Sequence, residues 1–210
     1  MRLLIQIPCL NEAQTLPSVL DDLPDAIPGV DEVDILVIDD GSTDATANIA
    51  EERGCIVIKH RENRGLGQAF QSGVDYMLEH DYDVLVNTDG DNQYKGKHVE
   101  DLLRPIQDGE ADIVIGDRQP TRIDHFSSTK QVFQGLGSWV TRQLTGVEVN
   151  DAVSGFRAYR REALQKLTVT TEFSYVLDTL MQAAEHSLSI PTVPVETNPP
   201  TRESRLFSSI

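Results

Sequence analysis

Two carboxylates and a side-chain amide fall within one short stretch, Asp89-Gly90-Asp91-Asn92-Gln93. They follow Asp83-Val84-Leu85-Val86-Asn87-Thr88, an apolar run that reads as a buried strand. Oxygen donors of this kind suit a hard divalent cation, Mn²⁺ or Mg²⁺, and a cation held there can clamp a diphosphate. Open α/β sheets bind ligands outside the carboxyl ends of their strands, so the position suits the chemistry. Asp, Gly and Asn also make ordinary turns. The metal reading therefore depends on what else reaches the same sheet edge.

Two other strand ends do reach it. Asp39-Asp40-Gly41-Ser42-Thr43-Asp44 follows the apolar run 34–38, and its carboxylates can accept hydrogen bonds from a base and a ribose. Ser42, Thr43 or Asp44 can equally cap a helix. Pro8-Cys9-Leu10-Asn11-Glu12 follows the first run, Leu3 to Ile7, and can also begin a helix. Each taken alone is ambiguous; together they deliver three polar loops to one edge.

The positioning elements alternate. Strands are expected at 3–7, 34–38, 56–58, 84–86 and 112–116. Helices are expected from Asn11, with Gln14 completing a capping box, to about Leu23; from Thr43 or Asp44 to Gly54; from Gly65 to His80; and from Val99 to Ile106. This β-α alternation is the pattern of a parallel sheet with right-handed crossovers. The remainder is less regular. A helical apolar stripe at 129–144 includes Trp139 and reads as core packing. Phe156-Arg157-Ala158-Tyr159 alternates like a strand with one wet face. A helix is expected over 173–186 and an edge strand over 190–195.

Composition narrows the function. The 210 residues suffice for one large domain or two small lobes sharing a core, and 39% hydrophobic with 25% charged residues is the balance of a soluble globular protein. A net charge of −16 argues against nucleic acid as a partner. It leaves nucleotides open, because one cation and a few arginines invert a local field. Cys9 and Cys55 read as small buried residues and favour a reducing compartment. No stretch approaches the ~18 apolar residues of a membrane span, so the chain is not expected to cross one. His60, His80, His98, His125 and His186 show no ligand spacing and receive no catalytic role.

The ordered set Ile7-Pro8-Cys9-Leu10-Asn11-Glu12, Val37 to Asp44, Asn63-Arg64-Gly65, Asp89 to Gln93, Ile115-Gly116-Asp117-Arg118 and Ser154-Gly155-Phe156-Arg157 resembles the inverting family 2 glycosyltransferases of GT-A fold. It is most similar to their dolichyl- and polyprenyl-phosphate sugar transferase branch, from Leu3 to about Arg205. The resemblance implies one GT-A domain over 1–210, with a nucleotide-sugar half at 1–92 and an acceptor half at 93–210 that ends in a flap. It implies donor contacts from Pro8, Leu10, Glu12, Ile38, Asp39, Asp40, Asp89, Gly90 and Arg202. Asp89, Asp91 and Gln93 would hold Mn²⁺ or Mg²⁺. Arg118 would face phosphates, Ser154 and Arg157 would meet an acceptor phosphate, and Asp178 would line the reaction centre. Arg202 and Ser204 would sit on the flap, although Ser204 stands closer to Arg202 than the family commonly has it. The implied donor is a GDP- or UDP-sugar. The implied acceptor is a lipid phosphate at the cytoplasmic membrane face, reached by peripheral contact.

Two alternatives share the resemblance: a transferase acting on a hydroxyl, with Asp178 or Asp151 as base, and a sugar-nucleotide-binding module without turnover. A nucleotidyltransferase would need a glycine-rich, lysine-bearing loop after the first strand, which 8–12 does not provide. A phospho-receiver would place its acidic pair after the first strand and a lysine late, where Asp117-Arg118 stands.

Overall fold

The computed structural model describes residues 1–119, 151–169 and 175–199. Their strands are β1 (Arg2–Cys9), β2 (Glu32–Asp39), β3 (Ile56–Lys59), β4 (Val84–Asn87), β5 (Ile113–Asp117), β6 (Arg157–Arg160) and β7 (Thr192–Pro194). These form one sheet in the order β3-β2-β1-β4-β6-β5-β7. β6 runs antiparallel to both β4 and β5, and the remaining pairings are parallel. The helices are α1 (Leu16–Asp22), α2 (Thr46–Glu52), α3 (Leu66–Glu79), α4 (Val99–Gln107), α5 (Arg161–Leu164) and α6 (Tyr175–Glu185). This is the α/β architecture expected, a mostly parallel central sheet flanked by helices.

The period-two pattern of β1 sorts its side chains between two cores. Leu3, Ile5 and Ile7 pack with Leu16, Val19, Ala50 and Leu102 from α1, α2 and α4. Leu4 points the other way, into a core shared with Ile38, Phe70, Val74 and Leu180. Gln6 also lies on that second face and is fully buried. Its Nε2 donates to Asn87 Oδ1 on β4 at 2.8 Å, and Asn87 Nδ2 donates to Gly155 O and to Tyr175 Oη. Gly73 makes room for this amide: a Cβ there would lie 1.6 Å from Gln6 Oε1. Tyr175 is fixed by a parallel stack on Phe70, with centroids 4.0 Å apart.

Three local expectations change. α1 starts at Leu16, not Asn11, because Asn11 adopts a left-handed conformation (φ 55°) and serves the neighbouring loop. α2 starts at Thr46, because Thr43 and Asp44 before it are tied to the first loop. β6 has no wet face: it is paired on both edges, and Arg157, Ala158 and Tyr159 are fully buried. The Trp139 stripe lies outside the described residues.

Candidate active site

At the carboxyl edge of β1 and β2 the two loops are joined side chain to backbone. Ser42 Oγ accepts from Asn11 N, Asn11 Oδ1 accepts from Thr43 N, Thr46 Oγ1 accepts from Glu12 N, and Asp44 Oδ2 accepts from Ala13 N. The residues expected to cap α2 therefore mostly fasten the first loop, and Asp44 does both by also accepting from Thr46 N. Thr15 Oγ1 extends the fastening to the third loop, 2.8 Å from Glu12 Oε2 and 2.7 Å from Gly90 O. Pro8 and Leu10 are half-buried here and Glu12 is buried. Cys9 lies beneath the third loop, where a Cβ on Gly90 would meet its Sγ at 2.8 Å. Burial pushes the Cys9 thiol well up, so it is a packing residue and not a nucleophile.

Asp39 and Asp40 are both buried but differ in use. Asp39 Oδ1 accepts from Ser42 N at 2.9 Å, and its Oδ2 makes no hydrogen bond to the described residues. Asp40 accepts from Arg64 N, Gly65 N and the ring of His60. Ile38 does not line a pocket. Its side chain is fully buried in the second core, because β2 alternates and the strand-end residue before Asp39 faces inward.

The acidic turn follows β4. Asp89 and Asp91 are half-buried, and Asp91 Oδ1 accepts from Gln93 N at 3.0 Å, closing the turn. Asp89 lies against Gly155, where a Cβ would stand 3.2 Å from its Oδ1. Burial above all, then Asp91 and Glu12, push the Asp89 carboxyl up to about 7 against the opposing pull of Arg118. That is the mark of negative charge packed together without full compensation, and a divalent cation relieves it. No group of three or more His, Cys, Asp or Glu among the described residues forms a ready cation cage. The donor set is two carboxylates and the Gln93 amide, all hard oxygens from one turn. This fits a cation that takes its remaining ligands from phosphate and water.

The arginines do other work than expected. Arg118 makes a two-pronged ion pair with Asp151, Nε to Oδ2 at 2.6 Å and Nη2 to Oδ1 at 2.8 Å. Its Nη1 points toward Gln93 Oε1 at 3.4 Å, so one edge of the guanidinium borders the acidic turn. Asp151 is 1% exposed and fully engaged, which removes it as a base. Arg157 is wholly buried. Nε donates to Ser154 O, Nη1 to Val176 O and Thr179 Oγ1, and Nη2 to Ala152 O. Its hydrogen bonds run to protein carbonyls and a hydroxyl, so the expected acceptor-phosphate contact does not match its placement. Ser154 is also buried, with Oγ 3.4 Å from Tyr94 Oη. Asp178 is partly buried on α6. One oxygen accepts from Gln182 Nε2, and the other, Oδ2, is buried without a hydrogen-bond partner.

Residues after β7 cross the acidic turn. Tyr94 pairs with Thr197, Asn198 N donates to Gln93 O, and Asn198 Nδ2 donates to Asn92 O. Lys95 and Lys97 both meet Glu196, and His98 Nε2 accepts from Glu196 N. Arg202 and Ser204, expected on the flap, lie outside the described residues. Sequence reasoning missed Thr15, His60, Tyr94 and Tyr175. Their partners are remote in the chain, and no local spacing signals them.

Known proteins fit this arrangement. The family Glycosyl transferase family 2 matches residues 4–168. The undecaprenyl-phosphate mannosyltransferase of Micrococcus luteus is 32% identical over 206 residues, covering 93% of this chain and 83% of that protein. The polyprenol monophosphomannose synthase of Mycolicibacterium smegmatis is 32% identical over 206 residues, covering 92% and 76%. In structure, glucosyl-3-phosphoglycerate synthase from Mycobacterium tuberculosis, solved in complex with Mn²⁺, uridine diphosphate and glucosyl-3-phosphoglycerate, superposes with a TM-score of 0.77 at 22% identity. The match covers 96% of this chain and 72% of that one. The chain is a glycosyltransferase and belongs to glycosyl transferase family 2.

Proposed function

We propose that this glycosyltransferase moves a sugar, with inversion, from a nucleoside-diphosphate sugar to a polyprenyl phosphate. The observation that supports it most is the likeness, over more than nine-tenths of the chain, to relatives named for polyprenyl-phosphate acceptors. The acidic turn follows β4 and Asp39 ends β2, the two strands that flank β1, an arrangement suited to a diphosphate and its nucleoside. Asp39, in register with Cys9 of β1 and with an Oδ2 that makes no hydrogen bond to the described residues, takes the nucleoside. Asp89 and Asp91, with Gln93, hold Mn²⁺ or Mg²⁺. The cation, when bound, neutralises the charge gathering on the departing diphosphate. The positive edge of Arg118 borders the same turn and is held there by Asp151, so it needs no reorganisation as that charge develops.

A phosphate acceptor needs no general base. A phosphomonoester has a second pKa near ~6 and reaches neutral pH mostly dianionic, so no proton need be removed for attack. Asp151, the alternative base, is locked to Arg118. The acceptor half would begin at about residue 93, with the membrane face approached peripherally. No helix among the described residues is long and apolar enough to cross a membrane. The deciding experiment offers GDP- and UDP-sugars with Mn²⁺, or with chelator, to the purified protein, with a polyprenyl phosphate and a free-hydroxyl lipid as competing acceptors. Metal-dependent transfer to the phosphate alone is expected. Transfer to the hydroxyl alone overturns the acceptor assignment, and full transfer with chelator overturns the metal.

A further inference from the structure

The adjacent carboxylates at the end of β2 do not act as a pair. Asp40 is 5% exposed and saturated: Oδ1 accepts from Arg64 N at 2.9 Å and lies 2.6 Å from His60 Nδ1, and Oδ2 accepts from Gly65 N at 2.9 Å. An ionised carboxylate only accepts, so the proton in the His60 bond sits on Nδ1. The far side of the ring, Nε2, lies 2.9 Å from Ser72 Oγ on α3. Ser72-His60-Asp40 has the connectivity of a hydrolytic triad. It cannot serve as one here: Ser72 lies inside α3, and the backbone N–H groups around it belong to the helix ladder and cannot hold an oxyanion.

What the chain of bonds controls is backbone. Through Asp40 it gathers the amides of Arg64 and Gly65 at the start of α3, the last residues of an otherwise exposed loop. That loop lies directly on the turn after Asp39. Gly41 has φ 79°, and a Cβ there would stand 2.6 Å from Asn63 N and from the Glu62 carbonyl carbon. The turn and the loop are thus two layers of one wall, and Asp39, the carboxylate with an oxygen to spare, stands at its inner edge.

We propose that His60 is a positioning residue of the donor site: by tying Asp40 to Ser72 it holds the 61–65 loop against the Gly41 turn and so fixes the wall that receives the nucleoside. This rests on the donor reading above. A hydrogen bond to a charged group, once lost, commonly weakens what it holds by about tenfold or more. His60→Ala is therefore expected to raise Kd for the nucleoside diphosphate, GDP or UDP with Mn²⁺, by about tenfold. kcat at saturating donor should stay within about threefold of the wild type, since His60 touches no reacting group. His60→Asn keeps an N–H donor near the Nδ1 position and should recover most of the lost affinity. A bulk-filling role would give no such recovery and no split between KM and kcat.

Hydrogen exchange of the Arg64 and Gly65 amides supplies a readout without ligand. It should quicken in His60→Ala while β1 amides are unchanged. Unaltered affinity, or unaltered exchange at 64 and 65, overturns the proposal. If His60→Ala does not fold, Ser72→Ala frees only the far side of the ring; a smaller loss of affinity is expected, and none overturns the proposal. Wild-type protein that binds neither nucleotide overturns the donor reading and with it the donor role of His60, while the exchange comparison still decides whether His60 holds the loop.

Discussion

Charged residues do opposite work on the two sides of the sheet. On the β3-β2-β1 side, Asp39, Glu12 and Asp44 stay at the carboxyl edge, where Asp44 ties one loop to the next and Asp39 Oδ2 makes no hydrogen bond to the described residues. On the β6-β5-β7 side, Arg157 and Asp151 are drawn inward and consumed by the protein itself, and Arg118 keeps only its Nη1 edge toward the acidic turn. The difference follows from topology. On the first side the loops after β1 and β2 and before α3 present backbone amides, which carboxylates and hydroxyls satisfy by accepting. The second contains an antiparallel strand and the irregular turn at 151–156, whose carbonyls need donors from elsewhere. An arginine with five N–H groups is the residue best able to supply them.

The sharpest way to break this contrast is Arg157→Ala. It would take the Arg157 donors from the carbonyls of Ala152, Ser154 and Val176 and leave a cavity, with an expected cost of about 3–5 kcal/mol. Urea unfolding should show a large loss of stability, and Arg157→Lys should not rescue it. A variant of normal stability that fails only in transfer would return Arg157 to the acceptor site.

Next in size is Asp91→Ala, on the ligand-facing side. It should lower metal-dependent donor binding by about a hundredfold or more while costing about 1 kcal/mol of stability through the lost turn bond to Gln93 N. Calorimetric titration of nucleotide with and without Mn²⁺, beside a thermal melt, measures both. Equal nucleotide affinity with and without Mn²⁺ in both proteins would remove the metal from the acidic turn.

A smaller effect comes from pH. Asp89 is held near 7, above its ordinary value, so protons compete with the cation, and Mn²⁺ affinity should fall by about tenfold per unit as pH drops below 7. The sign reverses for the metal-free fold. Between the unfolded carboxyl value near ~4 and 7 the native state binds more protons, so this group makes the apo-protein less stable as pH rises. Asp89→Asn should flatten that part of the stability profile, and Mn²⁺ should shift the wild-type profile but not the variant's.

The smallest change is expected from Asp178→Asn. If the acceptor is a phosphate, no base is required and activity should stay within about threefold. Collapse of activity with donor binding intact would favour a hydroxyl acceptor and make Asp178 its base.

Much of the site was legible from residue order. The convergence of Asp39, Asp89, Asp91 and Glu12 was legible because strand-end carboxylates after apolar runs of a parallel sheet emerge at one edge. The helix starts at Asn11 and Thr43 were misplaced because the capping side chains bond across to a neighbouring loop, and a cap and a cross-loop tie look the same in sequence. The full burial of the Ile38 and Arg157 side chains was illegible for a related reason: a motif names a position but not which side chains the fold encloses.

The sequence by itself determined the alternation of strands and helices, the two cores of β1, and the gathering of carboxylates at one edge, because these follow from side-chain periodicity and chain direction. Tertiary structure alone decided which of the charges the protein itself engages. That choice depends on unpaired backbone groups tens of residues away, such as the 151–156 carbonyls that claim Arg157 and the Arg64 and Gly65 amides that claim Asp40, and no local pattern encodes where those groups will lie.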